Sequence, residues 1–447
     1  MTELCEGVQP PATEPEEKRN DDKKPVTIRC IMLFDGTMNN KTNIESRISK
    51  NEFYEATRSK KYKLFGERVG EGAESYENGF TNIASLDGYM DKEPAKGYDI
   101  TVKIYTEGAG TINNAGDKTV GYGIGMGEAG VKNKCEKGIT EAVTKIINGK
   151  LGNEEINSEE YYIKLLTIDV FGFSRGATTA RYAIHRLLKD EKRPIKKRLQ
   201  DHGYDTTKVE VCFTGLFDTV SSHGIRFSND VRKLELDAVK HAKKVLHLVA
   251  AEEYRKNFSL TNIKSACGKG EEYFLPGVHS DVGGSYHDNT SENFYLYSGS
   301  PAKVKADRAT LIAEGWYRDD EILYEEEFNE FDQAVYARTK ANRKGIRNAY
   351  CQIPLKIMAK AAREQGIPIK ADLESRADLT ISEFSDLKTL DNNIAKYKAT
   401  SVSAFPIHDP LLKRIRHDHL HMSSKDSLGL HPRFNDKGQR WRQAYDG

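Results

Sequence analysis

The chain is 447 residues long, 38% hydrophobic and 30% charged, with a formal net charge of +1. That balance suits a soluble chain, provides no global drive towards nucleic acid, and gives no apolar run near the roughly 18–20 residues a membrane-spanning helix needs. The start lacks a basic-then-apolar secretory segment, so synthesis in the cytoplasm without a signal peptide is expected, and any export needs other machinery.

Residues 1–24, rich in Pro, Glu, Lys and Asp, read as a disordered tail. "VTIRCIMLFDGT" then reads as a buried strand ending in a tight loop, and the polar stretch of about 40–97 as an insertion leaving the core. "YDITVKIYTEGAGT" is a second strand. In "EAGVKNKCEKGITEAVTKIING", Val131, Cys135, Ile139, Val143 and Ile146 recur at helical spacing. "YYIKLLTIDVFGF" predicts a strand, "RGATTARYAIHRLLKD" a helix, "KVEVCFTGLFDTV" a strand, "RKLELDAVKHAKKVLHLVAAEEYRKNF" a long helix and "EEYFLPGVHS" a further strand. Alternating strands and helices with continuous apolar strands predict an α/β fold: a mostly parallel sheet with helices on both faces, over residues 25–290. Residues 291–447, including "FNEFDQAVYARTK" and "CQIPLKIMAKAAREQ", read as a mainly helical appended cap. The six cysteines form no C-x-x-C pair and read as reduced and structural.

Chemistry concentrates at Gly172-Phe173-Ser174-Arg175-Gly176, a G-x-S-x-G with a strand before it and a helix after it. Such a turn exposes a serine hydroxyl, and the Arg175 backbone N–H at the helix start can donate to an oxyanion. A serine needs a histidine to take its proton and a carboxylate to orient that histidine, in the chain order serine, acid, histidine for this kind of sheet. Asp218, ending "KVEVCFTGLFDTV", and His279, ending "EEYFLPGVHS", satisfy that order. Asp281 is an alternative acid, and His417, His419 and His421 in "RHDHLHMSS" are alternative bases, His421 among them; all of these residues also have ordinary structural readings.

"LFDGTMNN" contains Asp-Gly-Thr, but Leu33 occupies the position where an aspartate-nucleophile phosphatase carries its nucleophile. The loop instead offers the Gly36 N–H as a second oxyanion donor, with Asp35, Asn39 or Asn40 bonding the loop in place. Gly125–Gly130 fits G-x-G-x-x-G but follows a polar stretch rather than a strand, which argues against a dinucleotide site. A Walker motif and H-E-x-x-H are both missing from the sequence, so no cofactor and no metal are expected.

"LFDGTMNN", "GFSRGATTARYA", "GLFDTV" and "LPGVHSDVGGSY", in this order, resemble the α/β-hydrolase catalytic domain of bacterial type VI secretion phospholipase effectors (type VI lipase effector, family one). "YTEGAGT" and "GYGIGMGEAGV" fit between the first two, and the resemblance spans about residues 26–290. It implies Ser174 as nucleophile, Asp218 as acid and His279 as base, acting on glycerophospholipid acyl esters as an antibacterial toxin. It further implies a phospholipid membrane surface, a cognate immunity protein and a type VI spike or tube component as partners, delivery into the target-cell periplasm, and a membrane-facing role for the C-terminal region. A soluble carboxylesterase or acyltransferase, and a non-catalytic binding module on a hydrolase fold, are the competing readings.

Overall fold

The computed structural model describes residues 23–55, 71–72, 74–91, 93–118, 130–223, 228–229, 231–375, 381–394 and 409–447. Nearly all of the 1–24 tail and all but the last residue of the G-x-G-x-x-G segment lie outside them. A six-stranded sheet contains β1 (Lys24–Phe34), β2 (Ile100–Thr106), β3 (Tyr161–Phe173), β4 (Thr206–Phe217), β5 (Ala242–Ala250) and β6 (Gly270–Leu275). Its spatial order is 2-1-3-4-5-6 and every neighbouring pair is parallel. The order reverses between β1 and β3, and in a doubly wound sheet the crevice beyond the carboxyl ends at that reversal is where ligands bind.

Period-two alternation along β1 assigns the two faces. Ile28, Cys30, Met32 and Phe34 pack with the buried side chains of α3 (Val131–Ile147) and α4 (Arg175–Leu188), and α1 (Lys41–Ser49), which follows β1 in the chain, is not part of that cluster. Ile31 and Leu33 point to the other face, covered by α2 (Asn82–Tyr89) and, from far along the chain, α7 (Gln352–Glu364). Between them in sequence lie the short α5 (His279–Gly283) and α6 (Pro301–Ala313), and α8 (Pro410–His419) follows. Among the described residues no helix is long and apolar enough to cross a membrane.

Three expectations are corrected. Residues 236–241 form a 3₁₀ turn and Ala242–Ala250 is the fifth strand, not part of a long helix. "VLHLVA" is apolar but for His247, and a strand buried on both faces shares such a run with a buried helix. "FNEFDQAVYARTK" is not helical: β8 (Ile322–Phe328) and β9 (Ala334–Ala341) pair antiparallel, and β7 (Tyr295–Gly299) joins them, so a three-stranded antiparallel sheet stands among the helices of residues 291–447. Within 40–97, the stretch 82–90 does not leave the core: Ile83, Leu86, Tyr89 and Met90 are buried on the second face.

The core is continuous across residue 290. Ile353, Leu355 and Met358 of α7 bury against Phe171, Phe213 and Phe217, and a fully buried large apolar side chain contributes about 1.5–3 kcal/mol. Those three alone are comparable with the net stability of a domain, about 5–15 kcal/mol. Arg29 of β1 fastens the helix end: its Nε donates to Asp169 of β3 at 2.7 Å, and its other nitrogens to the Gly366 and Gln365 carbonyls.

Candidate active site

Ser174 follows the last residue of β3 and precedes α4, with φ 59° and ψ −125°. A non-glycine residue at positive φ is strained and is held there by its surroundings. The flanking glycines explain the crowding. A Cβ on Gly172 would stand 2.4 Å from the Gly176 carbonyl oxygen and 2.5 Å from the Ala177 Cα, and one on Gly176 would meet the Phe34 carbonyl oxygen at 2.2 Å. Glycine is therefore required at both positions so that helix, strand and the loop after β1 can touch. The Ser174 hydroxyl does not cap its own helix.

One strand over, Asp218 follows β4 and also has positive φ, 44°. Its Oδ2 lies 2.5 Å from Nδ1 of His279, the first residue of α5. A carboxylate only accepts, so the shared proton sits on Nδ1 and Nε2 is left as the basic nitrogen. The imidazole is held between two rings: Phe173 at 4.6 Å between centroids, tilted, and Phe258 at 5.1 Å, edge-on. The His279 backbone N–H donates to Glu253 at 3.2 Å. This burial pushes the His279 pKa below its ordinary value even though Asp218 works in the opposite direction. For Asp218 burial alone would raise the pKa, but Arg442 and then His279 outweigh it and hold the carboxyl well below the usual carboxylate range.

Arg442 is the site residue that sequence reading missed. Its Nη1 donates to Asp218 Oδ1 at 2.5 Å and its Nη2 to Oδ2 at 2.9 Å. It lies 224 residues from its partner, in "RWRQAYDG", and no motif or spacing marks it.

The alternative residues are brought together with one another instead. His421 Nδ1 lies 2.8 Å from Asp281 Oδ1, and the Thr290 hydroxyl lies 2.9 Å from His421 Nε2. Asp281 also accepts the Val278 and His421 backbone N–H groups, and Tyr286 stacks on the His421 ring at 3.8 Å. His417 is engaged by Asp418 and Glu321, and His419 packs edge-on to Phe384.

Around Gly36, the loop residues hold the backbone. Asp35 accepts from the Gly36 N–H (2.7 Å), the Thr81 hydroxyl (2.8 Å) and the Tyr105 hydroxyl (2.6 Å), while burial pushes its pKa up to about 6. The Gly36 N–H is thus turned towards Asp35 in this structure. Asn40 caps α1 through the Asn43 N–H, and Asn39 donates to the Thr37 carbonyl. Arg175 reaches back over the same loop, donating from Nε to the Thr37 hydroxyl at 2.5 Å. Among the described residues no group of three or more His, Cys, Asp or Glu is placed to hold a metal ion.

Residues 186–309 match the family described as the catalytic domain of the type VI secretion, Tle1-like phospholipase effectors. That stretch contains Asp218, His279 and Asp281 and begins after Ser174. No curated protein matches the sequence. Among solved structures, a Tle1 effector bound to the VgrG spike of the type VI secretion system is 22% identical, with a TM-score of 0.60 over 95% of this chain and 94% of that one. A more distant one, an uncharacterized protein from Pseudomonas aeruginosa, is 17% identical with a TM-score of 0.43, over 89% of this chain and 53% of that one, and carries no argument. The chain thus shares the sequence pattern of the Tle1-like phospholipase effector catalytic domain over residues 186–309 and the fold of a Tle1 effector over nearly its whole length.

Proposed function

We propose that this chain is a serine-dependent hydrolase of membrane glycerophospholipid acyl esters, of phospholipase A type on an α/β-hydrolase-like scaffold. The carrying observation is the buried His279–Asp218 contact of 2.5 Å, with the imidazole packed on Phe173, the residue before a serine held at positive φ. His279 Nε2 takes the Ser174 Oγ proton as that oxygen attacks the ester carbonyl. The tetrahedral oxyanion forms at the start of α4, where the Arg175 N–H and the positive end of the helix favour it. The Gly36 N–H serves as second donor by exchanging its bond to Asp35 for one to the substrate oxygen. Proton return from His279 releases the lysolipid alcohol, and a water deprotonated by His279 then frees the fatty acid and restores Ser174.

The match to Tle1-like phospholipase effectors supports the lipid substrate and an antibacterial toxin role. The Tle1 effector of similar fold is bound to a VgrG spike, which supports a type VI spike component as carrier for this chain, with the target-cell periplasm as destination and a cognate immunity protein in the producer. For the membrane surface, Phe328, Phe331 and Val335 stand exposed around the β8–β9 hairpin tip, and such side chains lower their free energy in the headgroup region. This hairpin is the element of the C-terminal region to which we assign a membrane-facing role.

The test is fatty-acid release from phospholipid vesicles by wild type, Ser174→Ala, His279→Ala and Asp218→Asn. Activity in the wild type with a loss of orders of magnitude in each variant is expected. Full activity in Ser174→Ala, or wild type active on short soluble esters only, would overturn the serine or the lipid part of the reading respectively.

A further inference from the structure

The end of the chain is built into the site. Residues 444–445 add a parallel bridge to Leu260–Thr261, the Ser265 N–H donates to the Gly447 carbonyl at 3.0 Å, and Arg440 forms a two-bond fork with Asp307. Between these two anchors Arg442 turns inward and is 4% exposed. Its Nε donates to the Phe258 carbonyl at 3.0 Å and its Nη1 to the Ala250 carbonyl at 2.9 Å, which aims the fork at Asp218. Asp218 then has four donors: both Nη atoms of Arg442, the Ala250 N–H at 2.9 Å and His279 Nδ1. A carboxylate has about four acceptor positions, so every one is used.

We infer that Arg442 is a positioning residue of the active site, whose guanidinium, delivered by the last residues of the chain, keeps Asp218 ionised and aligned on His279 Nδ1. This rests on the reading of Asp218 and His279 as acid and base. A carboxyl at 0% exposure with no cation beside it takes up a proton, because burial disfavours the charge. A protonated Asp218 no longer fixes the tautomer of His279, and the two groups then titrate as a coupled pair. The other charged groups facing the pair are Glu253 and Arg255, from the turn after β5, which are bonded to each other. His247 of β5 lies one residue away, with Nδ1 at Glu272 and Nε2 accepting the Thr219 N–H. Arg442 is thus the cation that contacts the Asp218 carboxylate.

The alternative is a plain staple, in which the pair only ties the chain end to the sheet. The experiment compares full-length wild type with Arg442→Met, Arg442→Lys and Arg440→Gln, measuring kcat and KM on phospholipid vesicles against pH. In parallel, the His279 imidazole is titrated by NMR in a Ser174→Ala background, where turnover plays no part. Arg442→Met is expected to lower kcat at neutral pH about ten- to a hundredfold with little change in KM, and to raise by about one unit the pH at which the Asp218–His279 pair takes up its first proton, and with it the acid limb. Arg442→Lys, which keeps the charge and loses the fork, is expected to recover most of the rate with a smaller upward shift. Arg440→Gln should lower Tm with no shift.

Unmoved titration in both Arg442 variants, or an equal shift in Arg440→Gln, would make the contact a staple and overturn the inference. Should Arg442→Met fail to fold, the sign of the shift in Arg442→Lys decides. Activity that survives Ser174→Ala would sink the hydrolase reading instead, and the NMR titration would still decide whether Arg442 sets the protonation of the pair.

Discussion

Among the described residues two buried histidine–aspartate pairs have nearly the same chemistry, His279–Asp218 and His421–Asp281, and they differ in what meets the second ring nitrogen and the carboxylate. At His421 both nitrogens face polar partners, Asp281 and Thr290, and the ring is covered by Tyr286. At His279 only Nδ1 is committed, and the residue stands at the sheet edge where Ser174 is held under strain. The carboxylates diverge too. Asp281 has no arginine fork, and burial raises its pKa despite His421 and two backbone N–H groups, whereas Arg442 keeps that of Asp218 low. A histidine–carboxylate contact alone therefore does not mark a base. In the proposed mechanism what marks the base is a ring nitrogen with no hydrogen-bond partner among the described residues, together with a carboxylate that stays charged.

The sharpest way to break this comparison is to delete each histidine in turn. His279→Ala is expected to lower kcat on phospholipid vesicles by about three to four orders of magnitude while leaving Tm within a few degrees. His421→Ala is expected to do the reverse: kcat within about fivefold, and a stability loss of about 1–3 kcal/mol, because Asp281 is left buried with one partner fewer. Denaturant unfolding alongside initial rates reads both quantities, and an activity loss in His421→Ala as deep as in His279→Ala would erase the distinction.

The sequence made one half of this comparison legible and hid the other. Ser174, Asp218 and His279 follow strands whose apolar runs announce themselves, and the carboxyl ends of parallel strands share one edge, so three distant residues converge by topology. Arg442 reaches the site through an irregular tail, which carries no period to read. The same limit explains the misread elements. β5 is buried on both faces from Val245 to Ala250 and apolar there but for His247, so period could not separate strand from helix. β8 carries Glu325, Glu326 and Glu327, which suit a strand poorly. Its turn uses neither Gly nor Pro: Asn329 accepts the Phe331 and Gln333 N–H groups through its side chain, and Asp332 takes the left-handed conformation at φ 57°.

Crowding at the serine turn offers a second, intermediate test. Gly172→Ala sets a methyl 2.4 Å from a backbone carbonyl oxygen, and neither strand nor helix can yield without moving Ser174. The expected result is a loss of both activity, at least about tenfold, and stability, by about 1–3 kcal/mol, whereas an alanine at Gly88 on α2, whose Cβ would meet no atom within 4 Å, should leave both nearly unchanged.

The smallest effect concerns pH, and its sign separates the pairs without any mutation. In the proposed mechanism His279 is neutral when it accepts the serine proton, so kcat/KM is expected to fall as pH drops through its pKa in the free enzyme. Burial places that pKa below 6.5, and the acid limb should therefore lie below 6.5, with more than half of the plateau rate retained at that pH. Folding stability follows the same group: with the folded value depressed, the unfolded chain binds more protons as pH falls, so this contribution is complete above the unfolded pKa of about 6.5 and is lost below it. An acid limb at or above 6.5 would mean that the attraction of Asp218 outweighs burial, and that Arg442 does not draw enough of the carboxylate charge away from the histidine.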